Sequence, residues 1–284
     1  MPSEIRQALM APIRKIIPYQ MRRTLWGVIH DIRTLPERVK PDAKPVPWRF
    51  VHDVGDGEFH QVGAYYLNEL TRLAGLAPQH HVLDIGCGTG RVAFPLAGFL
   101  SREGLYTGFD ISAGGLAWMI RHLPPSEAGF RICRADIRNT EYRPQGAVLA
   151  SNYRFPVSGS SVDVAFATSV FTHLLPLDSA AYLAELGRTL KPGGRAYVTA
   201  FPMTEARWKR AGEGQSYFPF QRYEEGAYVA SPDVPEATIA FDERLFLDWI
   251  AAAGLELDRP IEWGGWCKET ARGFQDVLIL KRPD

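Results

Sequence analysis

Between residues 81 and 97 the chain reads HVLDIGCGTGRVAFPLA. Three glycines at alternate positions, Gly86, Gly88 and Gly90, follow a short apolar run that holds one carboxylate, Asp84. Backbone that bare lets a polar ligand lie directly against peptide N–H groups. Two more carboxylates recur downstream: Asp110 closes LYTGFD, and Asp136, followed by Ile137, closes RICRAD. A carboxylate at the end of a second strand accepts both hydroxyls of a ribose, and a polar group beside an apolar one flanks a purine edge. Together these residues point to a nucleoside-containing cofactor. Each has a plainer reading on its own: the glycines could be a tight turn, Asp110 a helix cap and Asp136 a strand end. The spacing G-x-G-x-G also departs from the dinucleotide fingerprint G-x-G-x-x-G, which needs glycine where this chain has Arg91.

The elements that must position these residues follow from hydrophobic periodicity. EFHQVGAYYLNELTRLAGL (58–76) places Val62, Tyr66, Leu70 and Leu73 on one helical face. HVLDI is a strand, RVAFPLAGFL a helix, GLYTGFD a second strand, and SAGGLAWMIRHL a helix with Ser112 as N-cap. FRICRAD, SVDVAFATS and GRAYVTAF supply three more strands, with the helix DSAAYLAELGRTL before the last of them. Strands alternating with helices predict a parallel sheet covered on both faces, with ligands at the carboxyl ends of its strands. The tail breaks this alternation: after the helix FDERLFLDWIAAAG come two strand-like runs, LELDRPIEW and GFQDVLILKR, joined by a Gly-Gly-Trp loop.

Composition excludes several function classes. The 284 residues carry 32 basic and 32 acidic side chains, so no global field recruits nucleic acid. Cys87, Cys133 and Cys267 are odd in number and match no zinc or CxxC spacing, which reads as reduced thiols and no metal site. The first forty residues hold eight basic side chains against Glu4, Asp31 and Glu37, a local excess of 8 − 3 = 5 positive charges. Their apolar residues are too interrupted by charge for a secretory or membrane-spanning segment, so a cytoplasmic protein is expected. A packed or solvated helix pair is the plain reading of this segment, and a basic amphipathic helix on an anionic membrane surface is the alternative. The expected organisation is a basic N-terminal extension and proline-rich linker over residues 1–50, then a main domain over 51–284.

VLDIGCGTG, YTGFDIS, RADI, FPVSGSSVDVAFATSVFTHLL and LKPGGRAYVT occur in this order. The set resembles the class I S-adenosylmethionine-dependent methyltransferases, with the nearest likeness to bacterial small-molecule and sugar-type O-methyltransferases. The resemblance is strong over roughly residues 50 to 201 and looser to the C-terminus. It is specific for the cofactor and says little about the acceptor. It implies an α/β fold: a Rossmann-like, doubly wound sheet of seven strands whose last strand runs antiparallel, here with an N-terminal helical extension and a lid insertion. It also implies S-adenosyl-L-methionine as cofactor. Gly86, Gly88 and Gly90, with Cys87 between them, would face its methionine portion, and Asp84 would support that loop. Asp110 with Ile111 would bind the ribose, Asp136 with Ile137 would frame the adenine, and Thr168, Ser169, Val170 and Phe171 would run under the sulfonium.

Methyl transfer to an alcohol is helped by a general base, and histidine suits the task near neutral pH. His173, in SVFTHLLP just after the fourth strand, is the first candidate, and His60, in GDGEFHQVG, is the second. Either could instead cap or pack a helix. His80 and His81 stand at the wrong end of the first strand. Residues 202–241, between the fifth strand and the next helix, hold Trp208, Tyr217, Phe218, Phe220, Tyr223 and Tyr228. These aromatics suit either a lid over a small-molecule or saccharide acceptor or simple packing of the insertion. Gly212, Gly214 and Gly226 would permit closure of such a lid, and Trp263 and Trp266 would reach the same rim. N- or C-methylation of a metabolite, a nucleotide-dependent oxidoreductase and a catalytically silent binding protein are the competing readings. The oxidoreductase lacks a Tyr-x-x-x-Lys pair.

Overall fold

The computed structural model describes residues 25, 27–29, 31–35, 40, 44–49, 58–140 and 142–284. Chain contacts divide the protein into two compact units, Met1–Phe59 and His60–Asp284. In the first unit residues 31–35 are helical, and the buried Asp31 accepts the Arg49 backbone N–H on both carboxylate oxygens at 2.8 Å. Most of the basic N-terminal run, residues 1–24, lies outside the described residues.

The second unit alternates strands and helices in the expected order. Helix α1 (Phe59–Ala74) precedes strand β1 (His81–Ile85), followed by α2 (Ala93–Phe99), β2 (Leu105–Asp110), α3 (Ala113–His122) and β3 (Gly129–Arg134). The short strands β4 (Ile137–Arg138) and β5 (Val148–Leu149) form a separate two-stranded sheet. Then come β6 (Val162–Ala167), helix α4 (Pro176–Thr189) and the long strand β7 (Leu190–Ala200). Residues 202–242 contribute β8 (Pro202–Met203), α5 (Glu205–Gly212), β9 (Gln221–Glu224), β10 (Ala227–Val229) and β11 (Ile239–Asp242). Helix α6 (Glu243–Ala252), β12 (Glu256–Leu257) and β13 (Asp276–Lys281) complete the chain.

The main sheet has seven strands in the order β12-β13-β7-β6-β1-β2-β3. Strands β7, β6, β1, β2 and β3 are mutually parallel, whereas β13 is antiparallel to both β7 and β12. The expected doubly wound sheet with an antiparallel last strand is therefore the observed one. The two-residue period of a strand assigns its side chains to opposite faces. Val82, Tyr106, Val164, Phe166, Tyr197, Val277 and Ile279 bury one face against α1, α2 and α3. Leu83, Ile85, Phe109, Ala165, Ala167, Val198, Leu278 and Leu280 bury the other face against α4 and α6.

Register brings the functional ends together. Ile85 lies opposite Phe109, Asp110 opposite Arg134, Ala167 opposite Val198, and Asp276 opposite Ala200. The carboxyl ends of the parallel strands and the amino end of β13 thus share one edge. The insertion that sequence alone presents as a loop builds a second sheet, β8-β11-β10-β9. Gly226 lies in the turn between β9 and β10 at φ 72°, where a Cβ would come within 2.2 Å of Leu245. That position is a close-packed turn.

Candidate cofactor and acceptor site

The glycine loop leaves β1 beneath α2 and α3. Gly86, Gly88 and Gly90 have φ of 73°, 53° and 79°, the left-handed region that side chains resist. The loop is held by the Phe109 carbonyl, which accepts from Gly86 and Cys87 N–H at 2.9 and 3.1 Å, and by the Cys87 carbonyl, which accepts from Gly90 N–H at 2.8 Å. A Cβ at Gly86 would strike Val170, and one at Gly90 would strike Met119, at 2.7 and 2.6 Å. At Gly88 it would meet nothing nearer than Asp110 Oδ2 at 4.0 Å. The outer two glycines therefore answer to packing, while the middle one faces open space, a cradle that fits a ligand on the backbone.

Asp110 organises this cradle. Its Oδ2 accepts from Gly88 N–H and its Oδ1 from Ser112 N–H, both at 2.7 Å. Ser112 in turn caps α3, its hydroxyl accepting from Gly115 N–H at 3.1 Å. Both carboxylate oxygens thus bind backbone N–H groups, one in the glycine loop and one at the start of α3. Asp84 lies below, buried on the face shared with Val82 and Tyr106, and accepts the Tyr106 hydroxyl at 2.7 Å. Burial pushes its carboxyl up to about 8; the Tyr106 hydrogen bond opposes this and the charge of Asp110 adds to it. Cys87 is buried beside them, and burial, then Asp84 and Asp110, drive its thiol well above the usual range.

At the next strand end Asp136 is half exposed and ion-paired with Arg143, which holds its carboxyl below the ordinary value. Ile137 is buried in the core, and Ile111 packs partly buried against that core. After β6 the chain turns at Ser169, a non-glycine residue at φ 59°. Val170, the next residue, is the one that limits Gly86.

A methyltransferase-domain family matches residues 83–198. Residues 83–198 are a class I S-adenosylmethionine-dependent methyltransferase domain. The chain is 29% identical over 138 residues to the O-methyltransferase cnsE of Penicillium expansum, covering 46% of this chain and 43% of that protein. It is 27% identical over 123 residues to an O-methyltransferase of Pyrenophora dematioidea, covering 43% and 39%. The chain thus spans less than half the length of these curated relatives. The same fold occurs in the S-adenosylmethionine-dependent methyltransferase of Mesorhizobium loti, at TM-score 0.51 and 15% identity, over 77% of this chain and 98% of that one.

Beyond β6, His173 ends a short 3-10 turn, Phe171–His173, and its N–H donates to the Val170 carbonyl at 2.9 Å. Its Nδ1 lies 2.8 Å from the Glu236 carbonyl, and its ring meets Tyr142 edge-on at 5.5 Å. Since a carbonyl only accepts, that contact places the proton on Nδ1 and makes Nε2 the basic nitrogen. Glu236 itself is buried, and its carboxylate takes both the N–H and the hydroxyl of Thr140. His60 lies in the first turn of α1, its ring 5.8 Å from Phe94, which stacks on Trp118 at 5.5 Å. The structure thus joins His173 to the loop beside Gly86 and joins His60 to an aromatic row over α2 and α3.

The insertion is anchored by a buried ion pair that sequence reading missed. Arg207 of α5 reaches the fully buried Asp276 at 2.7 Å, and Asp276 also accepts from Gly264 N–H at 2.6 Å and Trp266 Nε1 at 2.7 Å. The Arg207 guanidinium sits between the Trp263 and Trp266 rings at 4.4 and 5.0 Å. Phe220, Trp208, Phe218 and Tyr228 pack with Phe201 and Trp266, whereas Tyr217 and Tyr223 stay exposed. Arg207 and Asp276 stand 69 residues apart, and His173 and Glu236 stand 63 apart. No local pattern marks such pairs; the only early signal was an acidic residue opening an otherwise apolar last strand. Among the described residues no cluster of His, Cys, Asp and Glu could hold a metal, and no helix is long and apolar enough to cross a membrane.

Proposed function

We propose that the protein transfers the methyl group of S-adenosylmethionine to a hydroxyl of a small-molecule or saccharide acceptor, with His173 as the base. The observation that carries this reading is the contact of His173 Nδ1 with the Glu236 carbonyl, which fixes the tautomer of a histidine one turn beyond the residue packed on Gly86. The O-methyltransferase names of the two fungal relatives support oxygen as the nucleophile.

When bound, the cofactor supplies an electrophilic methyl group. The open backbone at Gly88 and the Asp110 carboxylate would hold it, with Ser169 and Val170 lining the loop side and Asp136 and Ile137 at the neighbouring strand end. Orientation of an acceptor hydroxyl in such a site accounts for roughly 7–11 kcal/mol of barrier lowering. Nε2 of His173 would take the hydroxyl proton, a contribution of about 10²–10⁴ in rate. His173→Ala is expected to lower kcat by that factor and leave the S-adenosylhomocysteine Kd unchanged, with partial recovery at high pH, where the acceptor ionises unaided. Unchanged turnover would move the role to His60 or remove the base altogether.

A peripheral contact belongs to the same proposal. Leu25, Val28, Ile32 and Leu35 recur at helical spacing and are 50%, 41%, 66% and 46% exposed, next to the basic run of the first forty residues. An apolar stripe beside positive charge suits an anionic lipid surface, where the enzyme would reach membrane-held acceptors.

A further inference from the structure

At the shared sheet edge three polar side chains from distant parts of the chain converge: Ser169 after β6, Thr199 near the end of β7 and Gln275 just before β13. Ser169 N–H donates to Thr199 Oγ1 at 2.7 Å. That leaves the Thr199 hydroxyl proton to donate, and Gln275 Oε1 lies 2.6 Å away. Ser169 Oγ donates to the same Oε1 at 3.1 Å. Two hydroxyl donors on one carbonyl oxygen fix the direction of the amide, so its N–H₂ group points away from them. Among the described residues none accepts from Gln275 Nε2, although the side chain is half-buried.

The arrangement costs backbone energy. Ser169 occupies the left-handed region at φ 59°, which non-glycine residues resist. Strain of this kind gathers where a ligand site over-determines the backbone. Ser169 adjoins Val170, which bounds the glycine loop, so the amide is carried by the residue next to the cofactor cradle. Beside it, Phe274 is 47% exposed and Tyr217 is 62% exposed, their rings edge-to-face at 5.6 Å. A paired donor next to exposed aromatic surface is what a ring with oxygen substituents needs.

We propose that Gln275 is a specificity-determining residue of the acceptor site: its amide N–H₂ holds an oxygen next to the reacting hydroxyl of a ring-shaped acceptor, while Tyr217 and Phe274 cover the ring. Ser169 and Thr199 are the positioning residues that aim the amide. The methylation of that ring rests on the proposed function above; the binding of the ring does not. The same chemistry serves phenolic and saccharide rings, and the probes separate them.

The test is saturation-transfer NMR on the full chain with S-adenosylhomocysteine, using phenol, catechol, salicylate and methyl glucopyranoside. The wild type should bind at least one of the three rings that carry a second, neighbouring oxygen substituent about tenfold more tightly than phenol. Gln275→Leu should erase that preference, and Gln275→Glu should weaken salicylate most, while both keep the S-adenosylhomocysteine Kd. Paired substitution of Tyr217 and Phe274 by alanine should weaken all four. Catechol or salicylate binding without the glycoside assigns a phenolic acceptor, and the converse assigns a saccharide. Absence of a preference in the wild type, or its persistence in Gln275→Leu, overturns the inference. Bound rings that depend on Gln275 but accept no labelled methyl group leave the subsite standing and refute the methyl-transfer reading instead.

Discussion

Asp84 is a buried carboxyl on β1 that accepts the Tyr106 hydroxyl, and burial raises its pKa. Its pKa of about 8 stands above the roughly 3.9 of an exposed aspartate. Between these values the folded state holds a proton that the unfolded chain has lost, so this group's stabilising contribution is complete below about pH 4 and is lost as pH rises through 8. Asp84→Asn keeps the shape and has no proton to lose. Denaturant midpoints measured from pH 4 to 9 should therefore fall less with pH in the variant than in the wild type; parallel profiles would show that Asp84 is ionised throughout. The glycines divide by role at the same scale. Gly88→Ala should cost roughly 1–2 kcal/mol of backbone strain at its left-handed φ and weaken S-adenosylhomocysteine at least tenfold by calorimetry, with the fold retained. Gly90→Val, driven into Met119, should fail at the folding step, seen as loss of a cooperative melt.

Among the elements, the insertion behaves as a second sheet bolted to the first through Arg207 and Asp276. Removing one partner of a buried ion pair costs about 3–5 kcal/mol because the other charge is stranded. Arg207→Met strands Asp276, whose carboxyl burial already lifts to about 6, and should lower the denaturation midpoint accordingly. Asp276→Asn should cost less, since Arg207 keeps Glu269 at 3.1 Å and the Gly264 carbonyl at 3.2 Å. Equal losses in the two variants would reject this ordering. The main sheet was legible in sequence because its strands are short apolar runs with glycines at their ends, and the cap at Ser112 formed as its residue type implies. Strand β3 stops at Arg134, two residues before Asp136, because the chain turns away there into the separate β4–β5 pair. The second sheet was not legible: β9 is exposed throughout, so its composition carries no alternation, and its partners are set by tertiary packing. Gln275 and Glu236 escaped for the same reason, since each acts on residues far off in the chain.

Across the whole molecule, one sheet separates two apolar clusters, and Asp110, Ser169, Thr199 and Gln275 gather at the edge formed by the carboxyl ends of its parallel strands. The proposed lipid contact belongs to the other unit and is separable from that edge. Flotation with anionic vesicles should retain the full chain and release a chain starting at Pro47, while both bind S-adenosylhomocysteine alike; equal flotation would reject the contact. A protein built to carry a strong alkylating agent is exposed to its own reagent, and only a thiolate is a good nucleophile. Cys87 is buried, and burial first, then Asp84 and Asp110, raises its thiol pKa, which lowers the thiolate population. The loop is thereby guarded against alkylation, and prolonged incubation with S-adenosylmethionine alone should leave the peptide that holds Cys87 unchanged in mass.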